Sequence, residues 1–160
     1  MFKSKAIEIL SNTKVFQEMS KEDLKIISKH CKKICFERGD ALIGIGEDPP
    51  GFFILIHGRL KVMLPRHMAG RKEQRASAIN LNVLHQGDCF GEYSLIEKTR
   101  TTASVVAEES GEALKIPKPD FDQIMADDRM AKIIYRNILH VLIKRLRKKE
   151  SELDLVLLAS

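Results

Sequence analysis

The feature that most constrains this chain is a change of rhythm near Lys32. From there apolar runs of about five residues are cut at regular intervals by Gly, Pro and Asp: KICFE, RGD, ALIGIG, EDPPG, then FFILIHGRLKVMLP. Strands this short, with turn residues this regular, predict an all-β sandwich or barrel and not alternating βαβ units. Gly39, Gly46, Gly51 and Gly58 mark the corners. At His57-Gly58 one strand is expected to turn directly into the next, because glycine accepts a positive φ. Residues 66–77 are polar, basic and carry no core, which suggests a hairpin tip. INLNVLH then alternates, with Ile79, Leu81 and Val83 on one face, and SVVA and EALKI supply two further strands.

Helices are expected on both flanks. Ile7, Ile9 and Leu10, then Val15 and Phe16, then Leu24, Ile26 and Ile27 recur near helical spacing. Ser20, three residues before Asp23, reads as the N-cap of a helix over 21–29. After Pro117 and Pro119, Asp120 can cap a short helix in FDQIM, and a long helix follows over 128–158. Along it Tyr135, Leu139, Leu142, Leu146, Lys149, Leu153 and Val156 alternate in spacings of four and three, a heptad seam. The reading is that 135–142 docks in part on the barrel while 146–156 pairs with a second copy, giving a homodimer.

Composition narrows the function classes. A chain of 160 residues, 44% hydrophobic and 31% charged, suits one domain with a sizeable core. No apolar run is long enough for a membrane span, and MFKSKAIEIL is too short in apolar residues for a signal peptide, so a cytoplasmic protein without a membrane partner is expected. Cys31, Cys35 and Cys89 form no disulfide framework, and Cys31 and Cys35 beside His30 lack a second pair at zinc spacing, so no metal is expected. The net charge of +5 gathers at Arg66, His67, Arg71, Lys72 and Arg75, and again at Lys144, Arg145, Arg147, Lys148 and Lys149. Without interleaved aromatics for base stacking, these clusters read as a solvated loop and a solvated helix face. The five histidines are scattered and no nucleophile–base pair is found, so no enzyme, no catalytic residue and no cofactor are expected.

One loop carries chemistry. DCFGEYSLIEKTRTTASV, from Asp88 to Val105, places Gly91 at a turn and starts a short helical turn near Glu92. The first N–H groups of that turn have no intrahelical partner, and a guanidinium follows at Arg100. A phosphate suits such a place. Glu92 would oppose a bare anion, so it makes sense if it accepts hydrogen bonds from hydroxyls beside the phosphate, as a ribose supplies. From the residues alone, Glu92 is equally a helix-terminus acid and Arg100 a solvated cation.

The run from VFQEMSKEDL through GFFILIHGRLKVML and LHQGDCFGEYSLIEKTRTTASVVAE, followed by the long helix, resembles the cyclic nucleotide-binding domain family over nearly the whole chain. Gly39, Gly46, Gly58, Gly87 and Phe90-Gly91-Glu92 carry the likeness. It implies a mainly β fold, an eight-stranded jelly-roll barrel with N-terminal helices and a long C-terminal helix. Residues 1–30 then form an N-terminal helical segment, 31–117 the ligand-binding β unit, and 118–160 lid and dimerisation helices. The resemblance assigns Glu92 to a ribose 2′-hydroxyl and the short helix at Ser94 and Leu95 to N–H groups aimed at a cyclic phosphate. An arginine assists, and the C-terminal helix closes over the base. Tyr93 is bulkier than the aliphatic residue usual there. The family ends this cassette Pro-Arg-small-Ala-Ser/Thr-Val, whereas this chain reads Arg100-Thr101-Thr102-Ala103-Ser104-Val105. The arginine slot falls on Thr101, with Arg100 one residue early.

The expected ligand-binding residues are therefore Gly91, Glu92, Tyr93, Ser94, Leu95, Arg100, Thr101 and Thr102. The expected function is a sensor for a cyclic nucleotide, cyclic AMP placed ahead of cyclic GMP, that signals through its C-terminal helix to an effector. The alternative is a jelly-roll interaction or dimerisation module with a degenerate pocket. No helix-turn-helix pattern follows the long helix, so direct DNA binding by this chain is not expected.

Overall fold

The computed structural model describes residues 2–64 and 79–159, with the backbone alone for 79–81. The expected hairpin tip at 66–77, with its basic cluster, lies outside the described residues. Helices α1 (Phe2–Ser11) and α2 (Lys21–Ser28), with a 3₁₀ turn (Lys14–Phe16) between them, precede the sheet. Helices α4 (Lys118–Met125) and α5 (Asp128–Ala159) follow it. Ser20 caps α2, its hydroxyl accepting the Asp23 N–H at 3.1 Å and so satisfying one of the helix's orphan donors.

The sheet holds β1 (Lys32–Phe36), β2 (Ala41–Ile43), β3 (Gly51–Leu64), β4 (Ile79–Leu84), β5 (Cys89–Phe90) and β6 (Ser104–Pro117), with α3 (Glu92–Glu97) between the last two. All pairings are antiparallel, in the order β1-β6-β3-β4, with β2 on β6 and β5 on β3. The mainly β architecture with flanking helices is as expected, but the described strands number six where eight were expected. Strands β3 and β6 each run as a single strand of 14 residues and stay paired with each other through the register shifts between Leu55 and Leu60. Gly58 is accordingly not a hairpin turn. Its φ of +102° bends β3 where the register shifts between Leu55 and Leu60, and a Cβ there would stand 2.8 Å from the Ser110 carbonyl.

Strand β3 is apolar without alternation because both its faces are covered. Phe52 and Ile54 point to a core shared with the helices, with Phe16, Ile27, Phe121 and Ile134. Phe53 and Leu55 point into the sheet's interior with Phe36, Ile43, Phe90 and Val105. The Phe52 ring meets Phe16 edge-on at 5.7 Å and stacks on Phe121 at 5.8 Å, tying the N-terminal and C-terminal helices to one strand. In β4 it is Leu84, opposite Leu60, that is buried, while Val83 is half-buried. A register shift opposite Val62 and Met63 breaks the alternation expected to keep Ile79, Leu81 and Val83 on one face.

The start of α5 is fixed to the N-terminal helices by polar contacts. Asn137 is buried and its amide donates to the carbonyls of Val15 at 2.9 Å and Gln17 at 2.8 Å. Arg136 pairs with Glu18. Arg129 donates two hydrogen bonds, at 2.8 and 2.6 Å, to the buried carboxylate of Asp23. Those bonds hold the Asp23 carboxyl below its ordinary value, against the opposing effect of burial. A depressed carboxyl contributes stability above its unfolded value of about 3.9, and the contribution is lost as pH falls through the lower folded value. Asp23→Asn is therefore expected to lower the urea midpoint at pH 7, with the gap to wild type closing below about pH 4. A gap of equal size at pH 7 and pH 3 would contradict this.

Candidate functional site

The site is set by a turn. The Phe90 ring stacks on Phe53 at 4.8 Å, and the next residue, Gly91, takes φ +86° to start α3. A Cβ on Gly91 would lie 2.6 Å from the Gly51 carbonyl, so only glycine brings α3 this close to β3. Glu92, the first residue of α3, is carried inward and is 3% exposed.

Below the turn lies a cavity of about 460 Å³, within the roughly 300–1,000 Å³ usual for small-molecule sites. Ile43, Val62, Leu84 and Val105 of the sheet make an apolar floor. Residues 91–94 and 101–103 form one wall, and Leu142, Arg145, Leu146 and Lys149 of α5 form the other. The buried Glu92 is paired with the half-buried Arg145, whose Nη1 donates to Glu92 Oε1 at 3.0 Å. The same nitrogen donates to the Tyr93 hydroxyl at 2.8 Å, and Nη2 donates to the Cys89 carbonyl at 3.0 Å. Burial pushes the Glu92 carboxyl above its ordinary value, and the Arg145 guanidinium pulls it back. Burial also pushes the neighbouring Cys89 thiol up, so it stays protonated. An apolar chamber with one buried carboxylate can take a flat apolar body and hold it by its hydroxyl groups.

The expected site residues separate into two groups. Gly91, Glu92, Tyr93, Ser94, Thr101 and Thr102 all line the cavity. Leu95 does not; it is buried in the core shared with the helices. Arg100 does not either. It is exposed, donates to the Gly46 carbonyl at 3.0 Å, and lines a separate cavity with Lys118, Phe121 and Tyr135. Thr101, in the arginine slot, is buried and commits its hydroxyl to structure. It donates to the Gly44 carbonyl at 2.6 Å and accepts the Glu47 N–H at 3.0 Å. Backbone bonds from Gly46 N–H to the Thr101 carbonyl and from Thr101 N–H to the Glu47 carbonyl complete the staple.

Arg145 and Lys149 were missed as cavity residues, since their basic cluster read as solvated helix face. A signal existed: Leu142, Arg145 and Lys149 stand three and four apart on one helix face. What helix periodicity does not contain is the partner, Glu92, 53 positions away. The outer seam residues Leu139, Leu146, Leu153 and Val156 are all more than half exposed.

The family model described as "Cyclic nucleotide-binding domain" matches residues 33–128. The chain is 27% identical over 125 residues to the cGMP-dependent protein kinase egl-4 of Caenorhabditis briggsae, covering 78% of this chain and 16% of the kinase. It is 23% identical over 147 residues to the Cyclic AMP receptor protein of Thermus thermophilus, covering 92% of this chain and 63% of the receptor. The chain thus spans less than two thirds of either relative. Among solved structures, a cyclic nucleotide-binding domain from Methylobacillus flagellatus superposes with a TM-score of 0.76 at 17% identity, over 94% of this chain and 82% of that one.

The Thr101 staple has a measurable strength. Thr101→Val keeps the shape and removes both side-chain hydrogen bonds, and is expected to cost about 1–3 kcal/mol. Thr101→Ser, which keeps the hydroxyl, should recover most of that loss in the same denaturant titration. Equal losses for the two variants would assign the effect to packing.

Proposed function

Since the chain belongs to the cyclic nucleotide-binding domain family, we propose that it is a regulatory sensor whose cavity takes a 3′,5′-cyclic nucleotide. The observation that carries this reading is Glu92, a carboxylate buried at the head of α3 against a 460 Å³ chamber; the resemblance assigns that position to a ribose-binding acid. In this reading Glu92 accepts the ribose 2′-hydroxyl, the short helix at Ser94 and Leu95 brings backbone N–H groups to the cyclic phosphate, and the base rests against Leu142 and Leu146. Cyclic AMP is placed ahead of cyclic GMP; Thr102, which lines the cavity, is the residue a guanine would engage.

The signal then leaves through α5, whose side chains already line the cavity. A ligand that favours one position of α5 shifts the population of helix positions, without any catalysed reaction. The exposed seam from Leu139 to Val156 supports pairing with a second copy, and an effector would read the rearrangement. We read the bent strands β3 and β6 as two strands apiece, which restores the eight of a jelly roll, with residues 31–117 as the ligand-binding unit. Among the described residues no helix is long and apolar enough to cross a membrane, and a cytoplasmic sensor is the reading kept. A second reading rests on Arg100 lying outside the cavity and Arg145 occupying Glu92: a module whose pocket is degenerate and whose helix is the working surface.

Ligand at about 100 times its Kd is expected to stabilise the protein by ~2.7 kcal/mol, a rise in Tm of about 5–10 °C. Glu92→Gln should weaken binding about tenfold to a hundredfold in isothermal titration calorimetry. No shift with cyclic AMP or cyclic GMP would favour the degenerate module.

A further inference from the structure

A cyclic phosphate brings a negative charge into a chamber that already holds Glu92, and among the described residues the cassette side of this chamber offers no cation. Arg100 opens onto a separate cavity and Thr101 is tied to Gly44 and Glu47. Among the described residues, the only cationic side chains lining the chamber are Arg145 and Lys149, both on α5. Arg145 is held in place by its bonds to Glu92, Tyr93 and Cys89. These occupy both Nη1 hydrogens and one on Nη2. A guanidinium has five N–H donors, so Nε–H and the second Nη2–H have no partner among the described residues.

We propose that Arg145, not a cassette arginine, is the guanidinium that binds the phosphodiester of the ligand, with Lys149 one turn further along α5 adding to the positive field. The proposal rests on the sensor reading of the cavity. It deepens that reading by naming the residue that makes the site select an anion over an uncharged nucleoside. It also makes the counter-charge part of the moving helix. The charged ligand is held fully only while α5 is docked, so recognition of charge and placement of the helix are a single event.

The test is calorimetric titration of the full chain with cyclic AMP, cyclic GMP and the matching nucleosides adenosine and guanosine. Wild type is expected to bind one cyclic nucleotide at least about tenfold tighter than its nucleoside. Arg145→Gln should bring the cyclic nucleotide down to the nucleoside's affinity and leave the nucleoside within about threefold, and Arg100→Gln should keep the wild-type preference. Because Arg145→Gln leaves the Glu92 carboxylate buried without its partner, the pair Glu92→Gln and Glu92→Gln/Arg145→Gln repeats the comparison without that charge. Within that pair the preference should persist in Glu92→Gln and vanish in the double variant. A preference that survives loss of Arg145, one that disappears with Arg100→Gln, or equal weakening of nucleotide and nucleoside by Arg145→Gln overturns the proposal and leaves the sensor reading standing. Wild-type protein that binds none of the four compounds overturns both.

Discussion

The fold depends on one strand having two buried faces. Phe52 and Ile54 of β3 belong to the core under the helices, and Phe53 and Leu55 to the core inside the sheet. Everything functional hangs from that strand. Its inward side carries the Phe53–Phe90 stack that fixes where β5 ends, and Gly91 then passes close enough to Gly51 to aim Glu92 inward. Its outward side carries Phe52, between Phe16 and Phe121, and so holds both groups of helices to the sheet. A polar residue at any of these four positions would face a core, with no solvated side to turn to.

The site is built from opposites in close contact. Glu92 is buried by the turn that makes the cavity, and an isolated carboxylate there would be costly. Arg145 relieves that cost from another element, which makes the pocket and α5 electrostatically interdependent. The first part of the helix is held differently. Asn137 fills two backbone acceptors of the N-terminal segment, and Arg129 forms a two-bond pair with Asp23. Thus α5 is clamped by polar contacts to the N-terminal segment nearer its start and by the bonds of Arg145 at the cavity.

Much of this was legible in the residues because it is local. Ser20 as a cap, the β region between Lys32 and Pro117, the long helix from Asp128 and the turn at Gly91 all depend on patterns a few residues wide. Legibility failed where long-range geometry decides. Gly58 reads as a hairpin turn, yet β3 stays on β6 because pairing continues on both sides of the bend. Ile79, Leu81 and Val83 read as one face, but a register shift between Asn80 and Asn82 interrupts the alternation, and Leu84 is buried. The displaced arginine posed a choice between Arg100 reaching the pocket and Thr101 replacing it. The loop instead faces Arg100 away and uses Thr101 to hold the Gly44–Glu47 segment. The cation that does enter the cavity lies on the helix, where spacing shows a face but not what that face meets.

The length of α5 has a mechanical consequence. Its 32 residues make a rod about 48 Å long, gripped at Asn137 by the N-terminal segment. From that fulcrum the Arg145 contact is about 12 Å along the axis and the far end about 33 Å. A rigid tilt moves the far end nearly three times as far as Arg145, about 3 Å for each 1 Å. On such a rod any given tilt about Asn137 is expressed most strongly at the exposed end.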